Sequence, residues 1–216
     1  MAITFPRDFL TGFPGWNTEF KLEFRQDKSR SAGGTTYVKD MGTPIWRATY
    51  TTRVLSPNEL DRWRAIIDTQ DGGLNAFIAV PLSRCYPILY PNGSGLWATT
   101  WTSGVTGQGN ISAIVTPNKE ISISGLPVGY QASVGDMVRI GSRNLHRIVG
   151  VSGPASGAGV ITVEIRPGLW PESAVGNVVY FPRPWCRMVV DPSSVSTTAD
   201  RTTGRGTLSF DGWEYR

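Results

Sequence analysis

Residues 56–73, SPNELDRWRAIIDTQDGG, form the one stretch of this chain with helical periodicity, and strand and turn patterns surround it on both sides. Ser56 is placed to be the N-cap, Pro57 suits the first helical position, and Glu59 completes a capping box. Leu60, Trp63, Ile66 and Ile67 fall within a sector of about 120° at 100° per residue. Asp61, Arg64 and Asp68 lie opposite, with Arg64 and Asp68 spaced as an i,i+4 pair. Gly72 and Gly73 supply a stop. The spacing predicts one amphipathic helix over residues 56–71. A lone helix with one apolar stripe must lay that stripe on a sheet.

The flanking segments read as strands. Phe20, Leu22 and Phe24 alternate with Lys21, Glu23 and Arg25. Trp46, Ala48, Tyr50, Thr52 and Val54 share one face of the next run, with Arg47, Thr49, Thr51 and Arg53 on the other. This period of two marks strands buried on one side. The strand AFIAVPL follows the helix. Strand, helix, strand in this order fits either a βαβ crossover or a helix bridging two sheets of a sandwich.

Beyond residue 90 the chain changes character. The run PNGSGLWATTWTSGVTGQGN is rich in Gly, Ser and Thr, and short β segments then alternate with turns: ISISGL, DMVRIG, LHRIVGV, GVITVEI and VVYF. Strands at about ten-residue spacing predict a small barrel or sandwich. Asp136 suits a turn, accepting backbone hydrogen bonds ahead of its strand. After Pro182 the first style returns in WCRMVVD and the closing TLSFDGWEY. Residues 26–34 are polar and read as a long hairpin tip or loop, and residues 193–206 as a long polar loop.

The expected fold is therefore mainly β. A β-sandwich with one packed α-helix uses residues 1–91 and 183–216, and a small all-β module, barrel or sandwich, is inserted as residues 92–182. A single continuous β domain is the alternative. The 216 residues hold a sizeable core either way.

Composition narrows the function. The net charge is +4, with no run of Lys or Arg, so scattered surface charge explains it better than a nucleic-acid grip. The start of the chain has neither a charged n-region nor an apolar h-region, and no stretch is long enough to span a membrane, which predicts synthesis in a cytoplasm with Cys85 and Cys186 reduced. One histidine, His146, and two distant cysteines give no zinc spacing. No GxSxG elbow, Walker loop or EF-hand spacing is present. Glu164, Glu172 and Asp136 offer carboxylates, but pairs arise by chance among 17 acids. No catalytic, cofactor-binding or metal-binding residue is assigned, and no enzyme activity is expected. Trp97, Trp101 and Trp170 sit in or beside loops and are candidates for stacking on a sugar ring.

The layout RATYTTRVLSPNELDRWRAIIDTQDGGLNAFIAVPL, an inserted β module and a closing TLSFDGWEY strand resembles that of the distal tail proteins of long-tailed bacteriophages. The segment LPVGYQASVGDMVRIGSRNLHRIVGV…GAGVITVEIRPGL is similar to modules of phage tail and baseplate proteins. The resemblance implies a structural virion protein of the tail, made in the host cytoplasm. It implies a belt β-sandwich with one helix, assembled as a hexameric ring between the tail tube and the baseplate or tail tip. The implied partners are further copies of the chain, the tail tube protein and baseplate or hub proteins, with DNA only in transit through a channel. A carbohydrate-binding or adhesin module contacting host-surface glycans is the alternative, and a polysaccharide-acting enzyme a weaker third.

Overall fold

The computed structural model describes residues 3–95, 101–115 and 118–216, with Trp16 as backbone alone. The chain is mainly β with one α-helix and an inserted closed barrel. Four strands precede the helix: β1 (Gly15–Glu23), β2 (Gln26–Arg30), β3 (Thr36–Asp40) and β4 (Ile45–Thr52). Helix α1 (Pro57–Asp68) leads to β5 (Ala76–Ala79). The barrel strands are β6 (Gln108–Val115), β7 (Glu120–Ser124), β8 (Met137–Ile140), β9 (Asn144–Val151), β10 (Ile161–Arg166) and β11 (Val178–Tyr180). Then come β12 (Cys186–Val190), β13 (Ser196–Ala199) and β14 (Gly206–Glu214).

Strands β1, β4, β14, β12 and β5 lie in that order in one antiparallel sheet. β13 continues the line of β12 along the same side of β14. Between them the Asp191 carboxylate accepts from Ser193 N–H (3.0 Å), and Ser194 Oγ accepts from Asp211 N–H (2.8 Å). The interrupted strand thus stays bonded to its neighbour across the break.

Trp46, Ala48, Tyr50 and Thr52 point to the buried face of this sheet, joined by Phe77, Cys186, Met188, Leu208 and Phe210. Helix α1 crosses that face. It connects β4 to the far edge strand β5, with β14 and β12 between them, and β5 runs antiparallel to β4. The helix is therefore neither a parallel crossover nor a bridge between sheets; it covers one face of a single sheet. Leu60, Trp63 and Ile67 are buried there and Ile66 is half-buried. Phe9, Leu10 and Phe13 of the N-terminal arm fill in beside them, with Phe13 edge-on to Trp63 at 5.2 Å. Met137 and Leu145, from the barrel wall, close the remaining part of the same core, and the Trp46 indole N–H donates to Leu145 O (2.8 Å).

The barrel closes in the order β10-β7-β6-β11-β8-β9. Ile111, Ile121, Ile123, Val138, Ile140, Ile148, Val163, Ile165 and Val179 fill it by simple alternation. Tyr90, Trp101, Tyr130 and Phe181 form an aromatic cluster with ring centroids 5.0–5.7 Å apart between neighbours. Buried Asp136 accepts from Ser133 N–H and from Ile88 N–H, both at 2.8 Å, tying the incoming segment to the barrel.

Several local expectations change. The helix ends at Asp68, not residue 71, where the Thr69 hydroxyl bonds back to Ile66 O and Asp71 and Gly72 turn left-handed (φ 49° and 66°). Arg64 pairs with Asp61 at 3.1 Å, one turn back, instead of with Asp68. Phe24 and Val54 fall just beyond the ends of their strands and are exposed. Residues 26–34 take the hairpin alternative, carrying β2 and the turn into its return strand β3, while residues 193–206 are not one long loop but carry β13 up to the start of β14. Strands β2, β3 and β13 are exposed throughout, so they lack the hydrophobic alternation that reveals a strand in sequence.

Candidate assembly interface

A β protein of this kind has to dispose of its strand edges. The barrel has none. In the six-stranded sheet, the outer edge of β5 is occupied by the N-terminal arm: Arg7 N–H donates to Ala76 O (3.2 Å), and Ile78 N–H donates to Arg7 O (3.0 Å). The outer edge of β1 is met by the barrel, where the Arg147 guanidinium donates to Phe20 O (3.0 Å) while stacking over Trp46 at 5.1 Å.

The pair β2–β3 is treated differently. It extends the β1–β4 hairpin outward, past a break at residues 24–25 and 41–44, with Met41 N–H donating to Arg25 O (2.7 Å). Its turn closes on Ser31, whose carbonyl accepts from Gly34 N–H and whose hydroxyl accepts from Thr35 N–H. Gly34 sits at φ 86°, where a side chain is disfavoured. Every residue of both strands is exposed. Tyr37 (61%), Val38 (53%), Met41 (56%) and Phe24 (57%) present apolar surface to solvent. A two-stranded ribbon standing alone is marginal in water. Arg25, Lys28, Arg30 and Lys39 outnumber Asp27 and Asp40 along it, and among the described residues none of these six charges has an ion-pair partner. At its base lies a groove of about 570 Å³, where Phe24, Gln26, Asp40 and Pro44 face Lys119, Arg166, Pro167 and Leu169.

The sheet face opposite the helix is polar and charge-matched. Arg47 is hydrogen-bonded to Asp211, lies 3.5 Å from Glu23 and stacks over Trp213, while Thr49 Oγ1 donates to Asp211 at 2.7 Å. Lys21 pairs with Glu23 at 3.0 Å, and hydrogen bonding from Lys21, with the nearby Arg47 charge, holds the Glu23 carboxyl below its usual range.

The sequence-predicted residues divide as follows. Leu60, Trp63, Ile66 and Ile67 all meet the sheet core. The Ser56 and Glu59 capping box is formed, with Ser56 N–H donating to the Glu59 carboxylate at 3.0 Å. Trp101 is not a sugar platform: it is 1% exposed, packed within the barrel's aromatic cluster. Trp170 is half-buried with the Arg216 guanidinium over its ring, so that face is taken. Trp97 lies outside the described residues. His146 is fully buried with Nδ1 2.9 Å from Pro167 O, and burial pushes its pKa down to about 4. Glu164 is bonded to Arg166, and Glu172 to Arg143 (2.9 Å) and Asn144 (3.0 Å). The ribbon answers to the hairpin-tip alternative for residues 26–34, whose signal is the pair of polar arms around SAGGT between two strands with clear alternation.

No protein-family model matches the chain, and no curated protein matches it.

Proposed function

We propose that the chain is a structural subunit of the tail of a long-tailed bacteriophage, assembling as a ring between the tail tube and the baseplate or tail tip. The observation that carries this reading is the β2–β3 ribbon. The arm pairs along β5, Arg147 caps one carbonyl of β1, and the remaining edge, β13, is short and carries only small polar side chains and Ala199, whereas the ribbon is sent out with four exposed large apolar side chains at and near it. Such a ribbon gains its stability from a partner. A closed ring of identical subunits supplies one on each side. The β sheet with a single covering helix and the inserted barrel agree with the layout that the sequence resembles.

Negative-stain microscopy of the purified protein and of tails containing it tests the reading. Six-fold rings at the junction of tube and tip support it. A protein that stays monomeric by light scattering at every concentration, and is absent from tails, refutes it. The glycan-binding alternative has lost Trp101, and one face of Trp170 is already occupied.

A further inference from the structure

Among the described residues, both strands of the ribbon have an unpaired outer edge: β2 on one side and β3 on the other. In a ring the ribbons of all copies point the same way, so β3 of one copy runs antiparallel to β2 of the next. We propose that each ribbon pairs edge to edge with the ribbons of the two flanking copies, so that the ribbons together close into a collar of antiparallel strands. This rests on the ring reading above.

The charge pattern supports a second copy as the occupant. Within one copy Asp27 lies opposite Lys39, Ser29 opposite Tyr37 and Lys28 opposite Val38. Repeating that register between copies sets Asp27 of one copy against Lys39 of the next, and opposes no two like charges. Each Lys39 then lies between two Asp27 carboxylates, one in its own chain and one in its neighbour's. Sliding by two residues toward the base would instead set Arg25 against Lys39. The same pairing lays the Lys28 alkyl chain on Val38 of the adjacent copy and covers Tyr37 from the side, which uses apolar surface that one copy leaves in water. It also satisfies the backbone groups along both open edges of the ribbon, which are otherwise exposed to uncontrolled strand pairing.

The test is disulfide trapping in full-length protein carrying Cys85→Ser, since Cys85 is half-buried and Cys186 fully buried. Ser29→Cys is placed in one copy and Tyr37→Cys in another, and the two are expressed separately and together. Directly paired residues in an antiparallel ladder have Cα atoms about 4.5–5.5 Å apart, within disulfide range. Both positions are exposed, so folding is spared; an unchanged melting temperature verifies it. The expected result is a covalent dimer from the co-expressed pair and from neither variant alone. Rings that form without this cross-link overturn the ribbon pairing and leave the ring reading standing. A dimer from the Ser29→Cys variant alone shows a two-fold β2–β2 contact and also overturns it. A protein that forms no oligomer and no cross-link removes both.

Discussion

Replacing Trp63 with Ala tests what the single helix does. Trp63 is 7% exposed, set edge-on to Phe13 at 5.2 Å and near Phe9 at 6.2 Å, so truncation removes most of an indole from the core and two aromatic contacts. Buried aromatic-to-alanine changes cost about 3–5 kcal/mol. Trp63 also lines the open groove between the arm and the helix, where solvent can relax the space left behind. We therefore expect the lower half of that range, about 3–4 kcal/mol, which for a chain of this size lowers the melting temperature by roughly 6–16 °C. Urea unfolding followed by circular dichroism gives the free-energy change, and the Arg62→Ala variant on the same helix, beside the groove, is the control. A loss below about 1 kcal/mol for Trp63→Ala would refute the role of the helix as the cover of the sheet core. A loss of the expected size with intact ring formation would show that assembly tolerates a weakened cover.

Three further outcomes follow from named contacts. The folded pKa of His146, about 4, lies below its ordinary 6.5, so the unfolded chain binds the extra proton and this residue's contribution to stability falls as pH drops from 6.5 to 4, by up to about 3 kcal/mol. Burial pushes the Asp136 and Glu214 carboxyls up, which acts with the opposite sign, so the measurement is the difference between parent and His146→Leu across that window; parallel profiles would refute it. Arg147→Ala removes the donor to Phe20 O and the cation over Trp46, costing about 1–2 kcal/mol and leaving the β1 edge open. Light scattering should rise at equal fraction folded, and an unchanged aggregation rate counts against edge protection. Glu59→Ala breaks the capping box and should lower the urea midpoint, while Asp61→Ala, in an exposed pair, should shift it less than half as far; equal shifts count against the cap.

The sequence by itself determined the elements whose one face is buried. Burial on one face imposes a period, and the period is written in the residues: 3.6 in Leu60, Trp63 and Ile67, and two in Trp46, Ala48 and Tyr50 or in Ile121 and Ile123. The capping box and the Asp136 turn were legible for a related reason, since each acts over three residues or fewer along the chain. Only the tertiary structure decided the rest. Nothing local places β14 beside β4, or sends α1 across a single sheet to its far edge, because the β4–β14 and β5–β12 pairings join residues more than a hundred positions apart. Nothing local shows that Trp101 lies within an aromatic cluster while Trp170 lies under Arg216. The ribbon β2–β3 was legible only as a hairpin tip or loop, for the opposite reason: neither of its faces is buried by the described residues, so no hydrophobic period marks its strands. The same lack of internal contact makes it the candidate for assembly.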